Sequence, residues 1–283
     1  MIHSATITGV KEYLSSSRKQ KKSIGFVPTM GALHNGHLEV IRRSKKENDL
    51  TVCSIFVNPI QFTNANDLKQ YPRMPEQDAK LLLSEGVDLL FAPTADEIYP
   101  PGEEPLLTLD FGKLDRVMEG RYRPGHFNGV AIVAKKLFEI VEPTRAYFGK
   151  KDFQQLAIIR HMVQTLGIPV EIVPCDTVRE PDGLAMSSRN LRLTIGERKV
   201  ASRIYDVLMF TKANAGTVPV KRLQVLAMKR LHEVPVFRPE YFEIVDAVTL
   251  LPIHSWKDTE QAVACTAVHV GDVRLIDNME LFS

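Results

Sequence analysis

Short apolar segments alternate with helical patterns over the first two-thirds of the chain, and this alternation constrains the fold most strongly. The predicted strands span residues 23–29, 50–57, 87–91, 145–148 and 170–173, and the predicted helices span residues 37–48, 75–85, 128–141 and 152–166. The segment 50–57 is apolar and β-branched, as in a strand buried on both faces. Repeated strand–helix–strand order predicts a parallel sheet with helices on both faces, which right-handed crossovers make doubly wound.

The pattern changes after about residue 180. Two predicted helices, 197–213 and 220–232, are followed by predicted strands at 241–250, 262–270 and 273–276, the last two joined by a Gly271-Asp272 hairpin turn. The predicted fold class is therefore α/β, a Rossmann-like doubly wound parallel sheet with a smaller α+β C-terminal domain. We place the domains at residues 1–178 and 179–283, with the polar stretch 179–190 as linker.

Composition narrows the class of protein. Of the 283 residues, 44% are hydrophobic and 25% charged, which excludes a disordered or collagen-like chain. The formal net charge of +2 gives no reason to expect binding to nucleic acid through the overall charge. Cys53, Cys175 and Cys265 form no CxxC pair and are interpreted as core thiols, with a zinc site or nucleophile as the alternative. The N-terminus lacks a signal-peptide pattern and no apolar segment approaches membrane-spanning length, so we expect a cytoplasmic protein without membrane contact.

The segment PTMGALHNGHLEV, residues 28–40, carries the most specific chemistry. Glycines follow a strand end, and a helix N-terminus there offers free N–H groups and partial positive charge to phosphate. His34 and His37 are three residues apart and can share one side of the first turn, where imidazoles can stabilise charge on leaving pyrophosphate. The alternative is two unrelated surface histidines. HExxH spacing is absent and no third ligand is evident, so the motif does not indicate zinc.

The segment VREPDGLAMSSRN, residues 178–190, is a second candidate for phosphate binding. Ser187 and Ser188 can donate hydrogen bonds, and Arg189 supplies a planar charged fork. We interpret the three as a clamp on the β- and γ-phosphates. The alternative is a polar linker between domains.

The segment FGKKDFQQ, residues 148–155, also joins a strand end to a helix start. Ligands of open α/β sheets bind outside the carboxyl ends of strands. Lys151 is a candidate for phosphate, Asp152 for a ribose hydroxyl and Gln155 for a neutral polar substrate group. The alternative is an ordinary capped helix with solvated charges.

The segment FVNPIQF, residues 56–62, follows another predicted strand. Asn58 and Gln61 are neutral amides, which suit hydroxyl and carboxylate oxygens without adding a nucleophile. The alternative is a plain turn.

Together these segments resemble the pantoate–β-alanine ligase (pantothenate synthetase) family, within the HxGH nucleotidylyltransferase superfamily. The resemblance rests on PTMGALHNGH, FVNPIQF, GRYRPGHFNGV, FGKKDFQQ and DGLAMSSRN, in that order along the chain. It implies that ATP and (R)-pantoate give pantoyl adenylate and pyrophosphate, with Mg²⁺ on the phosphates. β-Alanine then attacks the adenylate, giving pantothenate and AMP. It also implies a cytoplasmic homodimer.

The resemblance implies roles for individual residues. His37, His34, Lys151 and Arg189 are the expected catalytic residues, and no residue is expected to ligate a metal. Gln61, Gln155 and Asn58 are expected to bind the substrates pantoate and β-alanine. Gln61 and Gln155 are the expected pantoate residues, and Gln61 also borders the β-alanine site. The expected ATP-binding residues are Met30, Gly31, Ala32, Leu33, His34, Asn35, Gly36, His37, Gly149, Lys150, Lys151, Asp152, Val178, Met186, Ser187, Ser188 and Arg189.

Three other functions compete with this interpretation. A simple nucleotidylyltransferase shares HxGH but leaves FVNPIQF and the second glutamine unexplained. An aminoacyl-tRNA synthetase is disfavoured by the short, nearly neutral chain, and a non-catalytic nucleotide sensor by the two histidines and the SSR loop. We further expect segments 119–128 and 179–190, with the C-terminal domain, to close over bound nucleotide and exclude water from the adenylate. The alternative is two rigidly packed domains.

Overall fold

The computed structural model describes residues 1–102 and 109–282, and the chain divides into two compact units. The first unit comprises Met1–Phe111, Arg123–Lys150 and Ile158–Asp176, and the second comprises Gly112–Tyr122, Lys151–Ala157 and Thr177–Ser283. The chain therefore enters the second unit three times. A single boundary near residue 178 does not describe this exchange of segments.

A six-stranded parallel sheet forms the centre of the first unit. Its strands are β1 (Ile2–Ser4), β2 (Ile24–Thr29), β3 (Leu50–Ile55), β4 (Leu89–Phe91), β5 (Arg145–Gly149) and β6 (Glu171–Cys175), in the order β1-β4-β3-β2-β5-β6. From β2 the chain runs outward through β3 and β4, then returns to β5 on the other side of β2. This reversal is the switch point at which ligands of doubly wound sheets bind, and it confirms the predicted Rossmann-like class.

Eight helices accompany these strands along the described chain. They are α1 (Ile7–Lys19), α2 (Asn35–Glu47), α3 (Ala65–Gln70), α4 (Pro75–Ser84), α5 (Ala95–Ile98), α6 (Met118–Tyr122), α7 (His126–Val141) and α8 (Phe153–Leu166). The four helices predicted in this region are present as α2, α4, α7 and α8. Strand β1 and helices α1, α3, α5 and α6 were not predicted from the sequence. Only Val10, Leu14 and Ser17 of α1 are buried, so its apolar stripe is narrow.

The second unit is built on a three-stranded antiparallel sheet. Helices α9 (Ile195–Ala201), α10 (Arg203–Asn214) and α11 (Val220–His232) precede β7 (Phe237–Asp246), β8 (Ala262–Val270) and β9 (Val273–Phe282). The predicted helix 197–213 is two helices that meet at Ser202. The predicted strand 241–250 ends early because the Asp246 carboxylate accepts the N–H groups of Val248 and Thr249, which turns the chain. The predicted hairpin turn at residues 271–272 is confirmed, with Gly271 at φ +58°.

Both faces of this small sheet are buried. Alternate side chains of β7 and β8, such as Phe242 and Ala264, pack with α9–α11. Their neighbours, such as Tyr241 and Cys265, pack with Met118 and other residues of segments 112–122 and 151–157. These are the two inserted segments, which join the second unit ahead of its main part, 177–283. Because successive strand residues point to opposite faces, an apolar strand such as β8 needs a cover on each side. The inserted segments supply the second cover.

The stretch 179–190 is not a linker, which corrects our prediction. It lies within the second unit, where Arg179 and Ala185 form an antiparallel bridge closed by a turn at 180–183. Arg179 donates two hydrogen bonds to the carboxylate of Asp277 in β9, at 2.7 and 3.0 Å. The stretch is therefore fixed to its own sheet by a bidentate ion pair.

The three cysteines are free and buried, as predicted for core thiols. Burial raises the pKa of the Cys53 thiol to about 12. It also raises the pKa of Cys265 and, despite the neighbouring Arg43 guanidinium, that of Cys175. A low thiol pKa is what a nucleophilic cysteine requires, so none of the three has that character.

Candidate active site

The loop after β2 is held by a buried carboxylate that the sequence analysis missed. Asp78 of α4 is 1% exposed and accepts the N–H groups of Ala32 and Leu33, both at 2.8 Å. Gly31 and Ala32 have φ values of +78° and +49°. A Cβ on Gly31 would lie 2.9 Å from the Asp78 carboxylate, so the close approach requires glycine. Asp78 therefore fixes the backbone that leads into the histidine motif.

The two motif histidines cap the first turn of α2. His34 is the N-cap, and its Nδ1 accepts the Gly36 N–H at 3.1 Å, while Nδ1 of His37 accepts the His34 N–H at 3.3 Å. The rings lie 4.1 Å apart between centroids. This reciprocal capping box begins the helix at Asn35, two residues before the predicted start.

The same hydrogen bonds assign the tautomer of both imidazoles. A neutral imidazole whose Nδ1 accepts a hydrogen bond carries its proton on Nε2. Both His34 and His37 therefore hold an Nε2–H donor at a helix N-terminus, where the helix dipole favours anions. The arrangement is compatible with the predicted phosphate role, which stays a prediction.

The segment 56–62 forms a buried shelf of amides in the same unit. A short 3₁₀ helix, Pro59–Gln61, follows Asn58, and both amide residues are buried. The Asn58 Nδ2 donates to Gln61 Oε1 at 3.0 Å and to the Gly129 carbonyl at 3.1 Å. Gln61 Nε2 lies 3.2 Å from the Met30 sulfur. The structure thus brings Gln61 to the start of the histidine loop.

The backbone of this shelf is fixed by α7. A Cβ on Gly129 would lie 2.5 Å from the Ile60 carbonyl oxygen, so α7 approaches as closely as glycine permits. His126 Nδ1 lies 2.7 Å from the Gln61 carbonyl oxygen, and Arg123 Nη1 lies 3.1 Å from His126 Nε2. Since a carbonyl only accepts and a guanidinium only donates, His126 is the neutral Nδ1–H tautomer. The GRYRPGHFNGV segment therefore supports the Gln61 backbone.

The segment after β5 is divided between the units. Gly149 and Lys150 lie in the first unit, where Lys150 Nζ is 2.9 Å from the exposed Asp176 carboxylate. Lys151 and Asp152 lie in the second, with 3.7 Å between the Lys151 ammonium and the Asp152 carboxylate. The Lys151 carbonyl accepts a hydrogen bond of 2.8 Å from Asn278 in β9. This contact holds the backbone of Lys151 to the small sheet.

The two glutamines at the start of α8 have different roles. Gln154 is buried, donates to the carbonyls of Leu114 and Val117 at 2.6 and 2.9 Å, and accepts the Glu119 N–H at 2.9 Å. It joins the two inserted segments of the second unit. Gln155, the predicted pantoate residue, is half-buried in that unit. Its binding role stays a prediction.

The predicted phosphate clamp lies on a short 3₁₀ helix, Ser188–Arg192. Ser187 caps it by accepting the Arg189 N–H at 3.3 Å, and Ser188 is buried. The Met186 N–H donates to the Val178 carbonyl at 3.0 Å. The structure thus pairs Val178 with Met186. Their contacts to adenine stay a prediction.

Two ion pairs with buried carboxylates lie within the second unit, and neither was predicted from the sequence. Arg274 of β9 contacts both carboxylate oxygens of Glu119 at 2.7 Å, and Tyr241 donates to the same carboxylate at 2.9 Å. Arg179 and Asp277 form the other pair, in which burial raises the pKa of Asp277 against the opposing effect of the guanidinium. Glu119 belongs to the inserted segment 112–122, so the first pair binds that segment to the sheet.

Nowhere in residues 1–102 and 109–282 do three or more His, Cys, Asp or Glu side chains gather as ligands of a metal ion would. Within the same residues, no helix has the length and apolar character needed to cross a membrane.

Comparison with known proteins decides the family. The model of the pantoate–β-alanine ligase family matches residues 3–280. This chain belongs to the pantoate–β-alanine ligase family. It is 49% identical over 275 residues to a pantothenate synthetase of Azobacteroides pseudotrichonymphae, covering 97% of this chain and 98% of the relative. A pantothenate synthetase of Porphyromonas gingivalis is 47% identical, with 97% of each chain covered.

Solved structures agree with this assignment. The crystal structure of pantothenate synthetase from Thermus thermophilus has a TM-score of 0.94 and 44% identity, covering all of both chains. The pantoate–β-alanine ligase of Francisella tularensis has a TM-score of 0.82 and 36% identity, covering 99% of this chain and 98% of that one. That crystal structure contains β-γ ATP and β-alanine. The predicted family and enzyme class are confirmed, and this ligase shares the α/β fold of these relatives.

Proposed function

We propose that this ligase condenses (R)-pantoate with β-alanine through a pantoyl-adenylate intermediate, consuming ATP and releasing AMP and pyrophosphate. The observation that carries the proposal is the capping box of α2, which turns the Nε2–H groups of His34 and His37 away from the helix backbone. Two fixed donors at a helix N-terminus suit the charge that develops as pyrophosphate leaves. Family membership supplies the two substrates to be joined.

In the first step, the pantoate carboxylate attacks the α-phosphate of ATP and pyrophosphate departs. The histidines stabilise the departing oxygens by hydrogen bonding, and Lys151 and Arg189 are the proposed positive charges on the phosphates. Both His34 and His37 are already oriented by backbone N–H groups, so little reorganisation is needed when charge develops. Mg²⁺ enters with ATP as part of the substrate, since it binds phosphate oxygens and retains several waters.

In the second step, the β-alanine amine attacks the acyl carbon of pantoyl adenylate and AMP departs. We propose that Gln61 and Gln155 hold the pantoyl group during both steps. Their neutral amides orient the acid without competing as nucleophiles, so the chemistry depends on positioning and electrostatics. The homodimer and the cytoplasmic location stay predictions.

An omission assay tests the reaction. The complete mixture of ATP, Mg²⁺, pantoate and β-alanine should give AMP, pyrophosphate and pantothenate, and each omission should abolish pantothenate. Pyrophosphate formed without pantoate, or AMP formation independent of β-alanine, would contradict the proposal and favour a nucleotidylyltransferase.

Two variants test whether His34 and His37 of the α2 capping box act on the phosphates. His37→Ala and His34→Ala should each slow pantoate-dependent pyrophosphate release by about 10²–10³, the usual cost of one preorganised donor. His232→Ala, at the exposed end of α11, is the matched control and should release pyrophosphate at the wild-type rate. If both histidine variants released pyrophosphate at a near-normal rate and had an unchanged circular dichroism spectrum, the proposed phosphate role of His34 and His37 would be contradicted.

A further inference from the structure

The orientation of the Asn58 amide is fixed by its surroundings. One atom of this amide lies 3.1 Å from the Gly129 carbonyl oxygen, which can only accept a hydrogen bond, so that atom is the nitrogen. The Asn58 oxygen then lies 2.9 Å from the hydroxyl of Tyr99, which must donate. Burial raises the pKa of Tyr99 above its ordinary value, so the hydroxyl retains the proton it donates.

This orientation determines which end of Gln61 faces Asn58. The second N–H of Asn58 points to Gln61, and only the Gln61 oxygen can accept it, at 3.0 Å. The Gln61 nitrogen is therefore turned the other way, where the Met30 sulfur, 3.2 Å distant, is a weak acceptor for one of its two hydrogens. Gln61 consequently offers an N–H donor on the side of the histidine loop.

We propose that Tyr99 is a positioning residue for the acid substrate, acting through Asn58 to hold the Gln61 amide with its N–H toward pantoate. The inference rests on the proposed function, since it concerns how the same enzyme binds its acid. A carboxylate or hydroxyl oxygen accepts from an N–H, whereas a reversed Gln61 would present oxygen to oxygen. Both N–H groups of Asn58 are used internally, so Asn58 serves the acid through Gln61.

The geometry around Tyr99 suits a fixed donor. Its ring lies 6.1 Å from the ring of Phe56, and the Lys136 ammonium lies 5.7 Å from its centroid. Asn58 itself is 1% exposed, so water cannot readily replace the Tyr99 hydroxyl as its partner. Loss of that hydroxyl leaves a buried amide oxygen without a donor and frees the amide to rotate.

Tyr99→Phe tests the proposal because it removes the hydroxyl and keeps the ring. We expect the KM for pantoate to rise about tenfold, as for loss of one buried hydrogen bond, while the KM for ATP stays within about twofold. Tyr13→Phe removes a half-buried hydroxyl from α1 of the same unit and should change neither constant. Asn58→Asp replaces the donating group by an oxygen, and the KM for pantoate should rise further.

A double-mutant cycle separates positioning from a general structural effect. If Tyr99 acts through Gln61, Tyr99→Phe should have no further effect on the pantoate KM in a Gln61→Ala background. The inference would be overturned if the effects of the two substitutions on the pantoate KM were additive, or if Tyr99→Phe left that KM unchanged. In either case, a wild-type enzyme that still forms pantothenate would leave the proposed function intact. A wild-type enzyme that forms no pantothenate would overturn both.

Discussion

Asp78→Asn is the sharpest perturbation of the histidine loop. The carboxylate is 1% exposed and accepts two backbone N–H groups at 2.8 Å. An asparagine keeps one acceptor but sets an NH₂ group against the second N–H, which leaves a buried donor without a partner. Hydrogen bonds to charged groups contribute about 1.5–3 kcal/mol each, and an unsatisfied buried donor costs about 1–3 kcal/mol. We expect a loss of about 3 kcal/mol in the free energy of unfolding.

That loss should appear both in stability and in the reaction. For a chain of 283 residues, about 3 kcal/mol lowers the unfolding midpoint by roughly 5 °C. The loop also positions His34 and His37, and a displacement of about 1 Å can reduce rate by about 10²-fold. Calorimetry and pantoate-dependent pyrophosphate release should therefore change together, with release slowed by more than tenfold.

Glu76→Gln is the matched control, because Glu76 is an exposed carboxylate in the same first turn of α4. It measures the loss of one negative charge near the helix N-terminus, which costs about 0.3–1 kcal/mol. If Asp78→Asn were no more destabilising than Glu76→Gln and kept its rate, the hydrogen bonds to Ala32 and Leu33 would not hold the loop, and the reasoning would be refuted.

Three further predictions concern pH, thiol chemistry and motion. The hydrogen bonds of Arg198 lower the pKa of Asp182 below the usual 3.8. The stabilisation of the 180–183 turn by this pair is therefore complete above pH 3.8 and is lost as the pH falls through the folded-state pKa of Asp182. Carbonyl NMR should show Asp182 titrating at a lower pH in the wild type than in Arg198→Gln. Because burial raises the pKa of Cys53 to about 12, iodoacetamide should leave Cys53 unmodified in the native protein and label it in urea, and equal labelling rates would contradict this. If segments 119–128 and 179–190 close over substrate, ATP plus pantoate should increase their hydrogen-exchange protection, and unchanged exchange in both would count against a lid.

The sequence by itself determined the α/β class and the position of the phosphate motif. Both depend on local information: strands such as β2 and β8 are continuous apolar segments, and their bounds match the prediction to within one residue. The HxGH motif is also local, because His34 and His37 complete their capping box within four residues. Short-range patterns of this kind are visible without a fold.

Only the tertiary structure decided what holds these motifs in place. Asp78 contacts a loop 46 residues earlier, and Arg274 pairs with Glu119 across 155 residues. The sequence around Asp78 or Arg274 does not indicate which group it will contact, because a buried charge is stabilised by whichever group the fold brings to it. The linker prediction at 179–190 was wrong for the same reason, since the pairing of Arg179 with Asp277 arises only when β9 has formed. Likewise the direction of the Asn58 amide depends on Tyr99 and Gly129, which the chain supplies from distant segments.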